Sequence, residues 1–463
     1  MSNESTVVIG GGISGLAAAL ILAKQGRAVT VVEARECVGG LASTLHLGDF
    51  SFDVGPYILL DLPGLAWAFE QMAIALDSTL DLHPLDPVYA VHSPGDEPVT
   101  IHRSLDETAE QFESRWPGSG MQYRRFVSQT ARMYKALAPL RFTSKPTPWG
   151  AFSRGGLSAL FFLSSSLAQV LRRYQLPPAV ERAVGIWTHI AGQDLKHAPS
   201  PLAFVPALVH EVGAYYPTGG LGSIAEVLGR ELKRVGGVVR TGASVAQITL
   251  RGTRVDQVVL ADGTTMTPSS VIATNGVCGV YDQLIDWQMP ARLARFIRAL
   301  PLQSPGVGAY MTGRRKNPAG YLSFELRDRI CTAVVQPGIY AESHPADREP
   351  FRVVRPLRHG TDVDPKQTLE EMLQCPLVHH HFDDARLLHS LNPASWREEF
   401  KLYRGGMNPA MTPAFMRRGR FPHRCPYIDG LYFAGSSTHP GQWVSFCCIS
   451  GVLAAHALLQ DSP

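Results

Sequence analysis

An apolar strand, Thr6-Val7-Val8-Ile9, runs directly into Gly10-Gly11-Gly12-Ile13-Ser14-Gly15, and LAAALILAKQG follows as a helix closed by Gly26. No other feature constrains the fold as much. Gly10, Gly12 and Gly15 fit G-x-G-x-x-G: the first allows the tight turn, the second lets a pyrophosphate reach the backbone, the third lets helix pack on strand. The helix N-terminus then offers free N–H groups and partial positive charge to phosphate. Taken alone, the glycine pattern is weak. Here a second strand, Ala28 to Val32, ends on Glu33, where a carboxylate can accept hydrogen bonds from ribose hydroxyls. Strand, helix, strand and acid in register define a dinucleotide-binding unit.

The next stretch bears on which dinucleotide. An NAD domain would continue into another helix and parallel strand. This chain instead returns to bare backbone at Gly39-Gly40, makes a turn-rich excursion, and comes to Gly55-Pro56. Glycine removes the Cβ that would obstruct a ligand, so the ordered series Glu33, Gly39-Gly40, Gly55 points to a ligand longer than NAD, a flavin. The far end agrees. Leu431 to Ala434 reads as a strand closed by Gly435, and after His439-Pro440-Gly441 a helix should begin near Trp443 to Ser445. Its positive end suits the charge of a reduced flavin.

Composition excludes other classes. The chain has 463 residues, 45% of them hydrophobic and 18% charged, with a formal net charge of +3. That is an ordinary globular balance with no basic stripe for nucleic acid. The seven cysteines show no C-x-x-C spacing, so neither zinc site nor disulfide framework is expected. No secretion-type leader is read at the N-terminus, and a reducing cytoplasm is the simplest compartment. No apolar run reaches the ~20 residues of a membrane span. Residues 156–171, GLSALFFLSSSLAQVL, read as a core helix, with an interfacial helix on a membrane as the alternative. The run His379-His380-His381 reads as a solvated or hinge segment, because neighbouring strand side chains diverge; Cys447-Cys448 reads as packing. There is no second nucleotide-binding strand and glycine loop, so electrons would leave for oxygen, a quinone or another external acceptor.

On VVIGGGISGLAAALILAKQG, VVEARECVGGLAS, FSFDVGPYILL, YYPTGGLGSIAEVL and GLYFAGSSTHPG, the sequence resembles the phytoene desaturase and carotenoid dehydrogenase group of flavoproteins. That group shares its fold with amine oxidases and protoporphyrinogen oxidase. The resemblance spans nearly the whole chain. It implies an α/β protein: a discontinuous Rossmann-like FAD-binding domain (1–75, 216–289, 421–463) with an inserted mixed-sheet plus helical substrate domain (76–215, 290–420). The implied FAD contacts are Gly10, Gly12, Ile13, Ser14, Gly15, Glu33, Ala34, Arg35, Gly39, Gly40 and Leu41, with Gly55 and Pro56 near the ring. Val245 would reach the adenine through its backbone, and Gly435, Ser436 and Val444 would complete the set. For the reaction itself, His439, Trp443 and Tyr57 are the candidates: a base or turn-former, a wall, and a ring-face residue. Relatives commonly carry an acid at Ser436 and small residues after His-Pro-Gly, whereas this chain has Gln442-Trp443-Val444-Ser445-Phe446. The implied activity is dehydrogenation of an apolar polyene or isoprenoid, with hydride passing to flavin N5. Two alternatives stand beside it: an FAD-dependent oxidase, cyclase or isomerase acting on another natural product, and a flavin-free lipid carrier of the escort type.

Overall fold

The computed structural model describes residues 4–317, 320–336, 344–345, 347–358 and 363–461. Residues 1–3, the start of the N-terminal stretch from which no leader is read, lie outside the described residues. Ser5–Ile9 (β1) is a central strand of a five-stranded sheet. On one side lie Ala28–Val32 (β2) and Val238–Arg240 (β3), and on the other Ser270–Ala273 (β4) and Leu431–Phe433 (β5), every pair parallel. Alternation along β1 sorts the two faces: Val8 enters one core and Val7 and Ile9 another.

On the Val8 side, Ile13–Lys24 (α1) packs between Gly222–Arg234 (α2) and Val444–Asp461 (α3). A Cβ on Gly451 would lie 2.3 Å from the Ser14 carbonyl, so α3 crosses α1 backbone to backbone. On the Val7 side sits an antiparallel sheet of Val245–Arg251, Arg254–Leu260 and Thr265–Met266, whose Ile248, Val255 and Val258 complete that core. Strands from four separated stretches of chain thus form one cofactor-type sheet.

A second sheet of seven strands runs from the edge strand Phe382–Leu391 through Val307–Arg315, Glu349–Arg355, Ile330–Val335 and Leu322–Arg327 to Tyr89–His92 and Val99–Ile101. It is mixed: Leu322–Arg327 runs parallel to Tyr89–His92 and its other pairs are antiparallel. Helices Leu105–Arg115, Ser119–Leu137, Pro148–Ser164 and Pro178–Ile190 form the helical part. Ser104 starts the first of them by accepting a hydrogen bond from the Glu107 N–H at 3.2 Å.

Three expectations are corrected. Residues 156–171 are not one helix. The backbone breaks at Gly156 (φ 62°), the first helix ends at Ser164, and Ser166 opens a new one, Leu167–Leu171, with a reciprocal capping box. The histidine run is helical, not strand: Pro376–His381 is a short helix in which His379 and His380 are solvent-exposed as expected, whereas His381 is buried with no hydrogen-bond partner on either ring nitrogen. One helix, α3, does match a membrane span by length and apolar composition, yet most of its residues are buried in the protein core. Among the described residues no three His, Cys, Asp or Glu side chains gather in a metal-binding arrangement.

Candidate flavin site

The two early glycine loops lie on each other. Gly12 and Gly39 form an isolated parallel bridge, with the Gly39 N–H donating to the Gly11 carbonyl at 2.8 Å. Gly39 has φ 110°, and a Cβ there would lie 2.8 Å from Ser43 Cα, so only glycine fits. Gly15 is also bare for packing, since a Cβ would lie 2.0 Å from the Gly10 carbonyl. Gly12 differs. A Cβ there meets no protein atom nearer than 4.0 Å, so its bareness serves an approach from outside the protein.

Glu33 is buried behind this loop. Its Oε2 accepts from the Gly11 N–H at 2.7 Å and its Oε1 from the Arg35 N–H at 2.9 Å. Lone pairs remain on both oxygens for hydroxyl donors. Arg35 donates to the Gly40 carbonyl and, at 2.8 Å, to Ser43 Oγ. A cavity of about 280 Å³ opens beside them, lined by Gly10, Glu33, Ala34, Arg35, Val245, Asn275 and residues 397 and 399–402. Asn275 Oδ1 is buried there with no hydrogen-bond partner, an acceptor free for a ligand.

The tail turn reaches the same loops. Gly435 (φ 101°) has Ser14 Oγ 3.2 Å from where its Cβ would be, and its N–H donates to Ser450 Oγ at 2.9 Å. The Ser436 carbonyl accepts from Arg420 Nη1 at 2.9 Å, and its hydroxyl donates to the Met407 carbonyl. Val444 is buried at the first turn of α3. Of the expected contacts, Gly10, Glu33, Ala34, Arg35 and Val245 line this cavity, Gly12, Gly39 and Gly40 belong to the two glycine loops packed on each other, and Gly435 approaches Ser14 from the tail turn. Leu41 lies farther along, where its carbonyl sits 2.6 Å from a Cβ placed on Gly55.

At that end the chain is held by charged side chains that sequence alone did not reveal. Arg352, buried in Glu349–Arg355, donates to the Gly55 carbonyl at 3.3 Å and the Pro56 carbonyl at 2.7 Å. Its guanidinium carbon stands 5.6 Å from the Tyr57 ring centroid. Asp53, also buried, accepts from Tyr216 Oη and the Leu221 N–H, both at 2.7 Å. Burial pushes its carboxyl up, and the Arg352 charge pulls it back. Asp61 joins Tyr134, Arg141 and Ser445 at the start of α3. No composition or spacing signal marks Arg352, because it becomes informative only once two distant strands meet.

The reaction candidates divide. Trp443 stacks on Phe446, ring centroids 4.7 Å apart. Burial pushes the Tyr57 phenol well above its usual range. His439 Nε2 donates to the Leu140 carbonyl at 2.9 Å, and burial pushes the ring down to about 4, so it is neutral and Nδ1 is its acceptor. The vicinal thiols are pushed up by burial, Cys447 to about 12.

A βαβ unit with an open second glycine, a buried ribose-type acid beside a cavity, and a second glycine loop bridged to the first are the marks of a flavin-dinucleotide oxidoreductase. Residues 13–459 match the family model for flavin containing amine oxidoreductases, and the chain belongs to that family. Its cofactor is FAD. The flavin-free carrier alternative falls with this assignment. The chain is 26% identical to a lycopene-forming phytoene desaturase of Paracoccus sp., covering 99% of this chain and 98% of that protein. It is 23% identical to prolycopene isomerase 2 of an Oncidium hybrid cultivar, over 98% of this chain and 84% of the relative. An oxidoreductase structure from Methanosarcina mazei superposes with a TM-score of 0.68 at 15% identity, covering 99% of this chain and 100% of that one.

Proposed function

We propose that this enzyme desaturates an apolar polyene or isoprenoid and passes the electrons to an external acceptor, oxygen or a quinone. Bound FAD supplies the two-electron acceptor for hydride from a substrate carbon. The supporting observation is that the two ionisable reaction candidates are neutral, His439 pushed down to about 4 and the Tyr57 phenol pushed up, while the charges beside them are taken up by protein partners, Arg352 by the Gly55 and Pro56 carbonyls and Asp61 by Arg141. Neutral, desolvated groups suit a hydrocarbon and would serve a charged amine poorly. The full-length similarity to a phytoene desaturase supports the same substrate class. In this reading the glycine loops, Glu33, Arg35, Val245 and the Gly435-Ser436 turn hold the cofactor. Tyr57 and Trp443 bound the substrate face, and His439 sets the tail turn against Leu140, with Nδ1 left to take a proton. The division into an FAD domain and an inserted substrate domain, at the boundaries expected from sequence, is part of this proposal.

The substrate would arrive from a lipid surface. Trp149 (73% exposed), Leu157 (63%) and Phe161 (65%) project from Pro148–Ser164, with Arg154, Arg172 and Arg173 exposed nearby. Aromatic and aliphatic side chains among basic ones suit the face of an anionic bilayer. The seven cysteines, all free, accord with a cytoplasmic site.

Anaerobic mixing of holoenzyme with candidate polyenes tests the activity. Bleaching of the flavin absorbance with a stoichiometric new double bond in the product supports desaturation. The isomerase-like relative favours a second reading, in which turnover proceeds with no net reduction of any acceptor. Product formed without acceptor consumption would select it. Flotation with anionic vesicles tests the membrane contact, which fails if wild type and Trp149→Ser/Phe161→Ser float alike.

A further inference from the structure

One wall of the adenosine cavity does not come from the cofactor sheet. Arg397, Glu399, Phe400, Lys401 and Leu402 line it together with Glu33 and Val245. These residues follow the edge strand Phe382–Leu391 of the seven-stranded sheet. Asn392 starts the helix Pro393–Glu399 by accepting from the Ala394 and Ser395 N–H groups. Trp396, buried within it, donates Nε1–H to the Gly306 carbonyl at 2.9 Å. Beyond the helix, Lys401 turns the chain with φ 54°.

The tip of this segment meets Arg35. The guanidinium carbon stands 4.2 Å from the Phe400 ring centroid, while the same group holds the Gly40 carbonyl and Ser43 Oγ. Phe400 and Leu402 also pack on a small separate core of Phe52, Val54, Tyr310, Leu391 and Trp396. Phe52 and Val54 belong to the chain between the second glycine loop and Gly55.

We propose that residues 397–402 form a lid over the adenosine end of FAD, latched by Phe400 on Arg35. This rests on the FAD assignment. The lid hangs from one sheet and its catch from the other, so the cofactor is gripped across both. Because Arg35 also binds the Gly40 carbonyl, releasing the latch loosens the second glycine loop. A cation–π contact at a half-exposed site changes an equilibrium about 3- to 30-fold. Cofactor residence time should carry that factor.

The test uses full-length apo-protein titrated with FAD, binding read by flavin fluorescence and release by its recovery on dilution. Phe400→Leu keeps the apolar contact and removes the π face; Phe400→Tyr keeps both. The expected result is release about tenfold faster for Phe400→Leu and within about twofold of wild type for Phe400→Tyr. Arg35→Met, which removes the cation, gives an independent arm: in that background Phe400→Leu should change the release rate by less than about twofold, because the latch it would break is already gone. Phe400→Leu binding FAD but releasing it at the wild-type rate would overturn the lid alone. Wild type binding no FAD would overturn the lid together with the cofactor assignment.

Discussion

In the proposed FAD site, the adenosine end around Glu33 and the ring end around Gly55 and Pro56 are built differently. At the adenosine end the grip is backbone and one charged latch around an open cavity: bare Gly12, the Glu33 carboxylate, the unpartnered Asn275 oxygen. At the ring end it is a dry network of buried charge, with Arg352 on the Gly55 and Pro56 carbonyls, Asp53 under Tyr216, and Asp61 with Arg141. The first end is specified by what is left out, the second by what is put in. Sequence shows an omission as a glycine at a fixed spacing. It does not show a buried partner supplied from about three hundred residues away.

The largest effect should come from breaking the ring end. Arg352→Leu removes two backbone clamps and leaves the buried Asp53 without the positive charge that offsets its burial. Removing one member of a buried charge network costs about 3–5 kcal/mol. Denaturant unfolding of the apo-protein would show it, and a loss below about 1 kcal/mol would mean the ring end is not held by this cation. The glycines sharpen the contrast within one loop. Gly15→Ala places a methyl 2.0 Å from the Gly10 carbonyl and should destabilise apo-protein by about 3 kcal/mol, the upper range of overpacking. Gly12→Ala meets nothing within the protein and should leave apo stability within about 0.5 kcal/mol while weakening FAD binding about 100-fold. Equal apo destabilisation by the two would break the distinction between packing glycine and ligand glycine.

The same contrast governs legibility. The βαβ unit was readable because its signals are local: β1, α1 and β2 fall where the sequence places them, with Gly26 at φ 80° just past the helix. The tail strand and α3 were readable for the same reason. The seven-stranded sheet was not, since its order joins residues 89–101 to residues 307–391 and no local pattern encodes that pairing. Residues 156–171 misled because apolar content does not distinguish one helix from two, and the break rests on Gly156 and the Ser166 cap. The histidine run misled only in its geometry and in the burial of His381, since His379 and His380 are exposed. Pro376 opens a helix, so the divergence of strand side chains did not apply. Phe400, the lid's tip, carries no chemistry-bearing signature until Arg35 is seen beneath it.

A pH experiment probes the seam between the ends, where His439 ties the tail turn to Leu140. Burial holds its ring at about 4 against an unfolded value of 6.5, so between those pH values the unfolded chain binds more protons. Its contribution is complete above pH 6.5 and is lost as pH falls toward 4, about 2 kcal/mol of it by pH 5. His189, His210, His381 and His423 are held at about 4 in the same way, so the whole protein should lose stability over this window. His439→Gln keeps an N–H for the Leu140 carbonyl and removes one titrating group. Stability measured from pH 7 to 4.5 should fall less steeply in the variant; an unchanged slope would show that His439 is not held neutral.

The smallest effect belongs to Ser436, where relatives of the resembling group commonly carry an acid. Here the turn is held through its backbone: Arg420 Nη1 binds the Ser436 carbonyl at 2.9 Å, and the side chain spends its proton on the Met407 carbonyl at 3.2 Å. Ser436→Ala deletes one hydrogen bond between neutral groups, about 1 kcal/mol or less, and leaves the peptide groups facing the channel in place. FAD affinity should shift by no more than about threefold. Arg420→Met, which frees the carbonyl itself, should weaken FAD binding more than Ser436→Ala does. If the ranking reverses under fluorescence titration, the tail turn grips its ligand by side chain as the ring end does, and the contrast between an end made of backbone and an end made of buried charge no longer holds there.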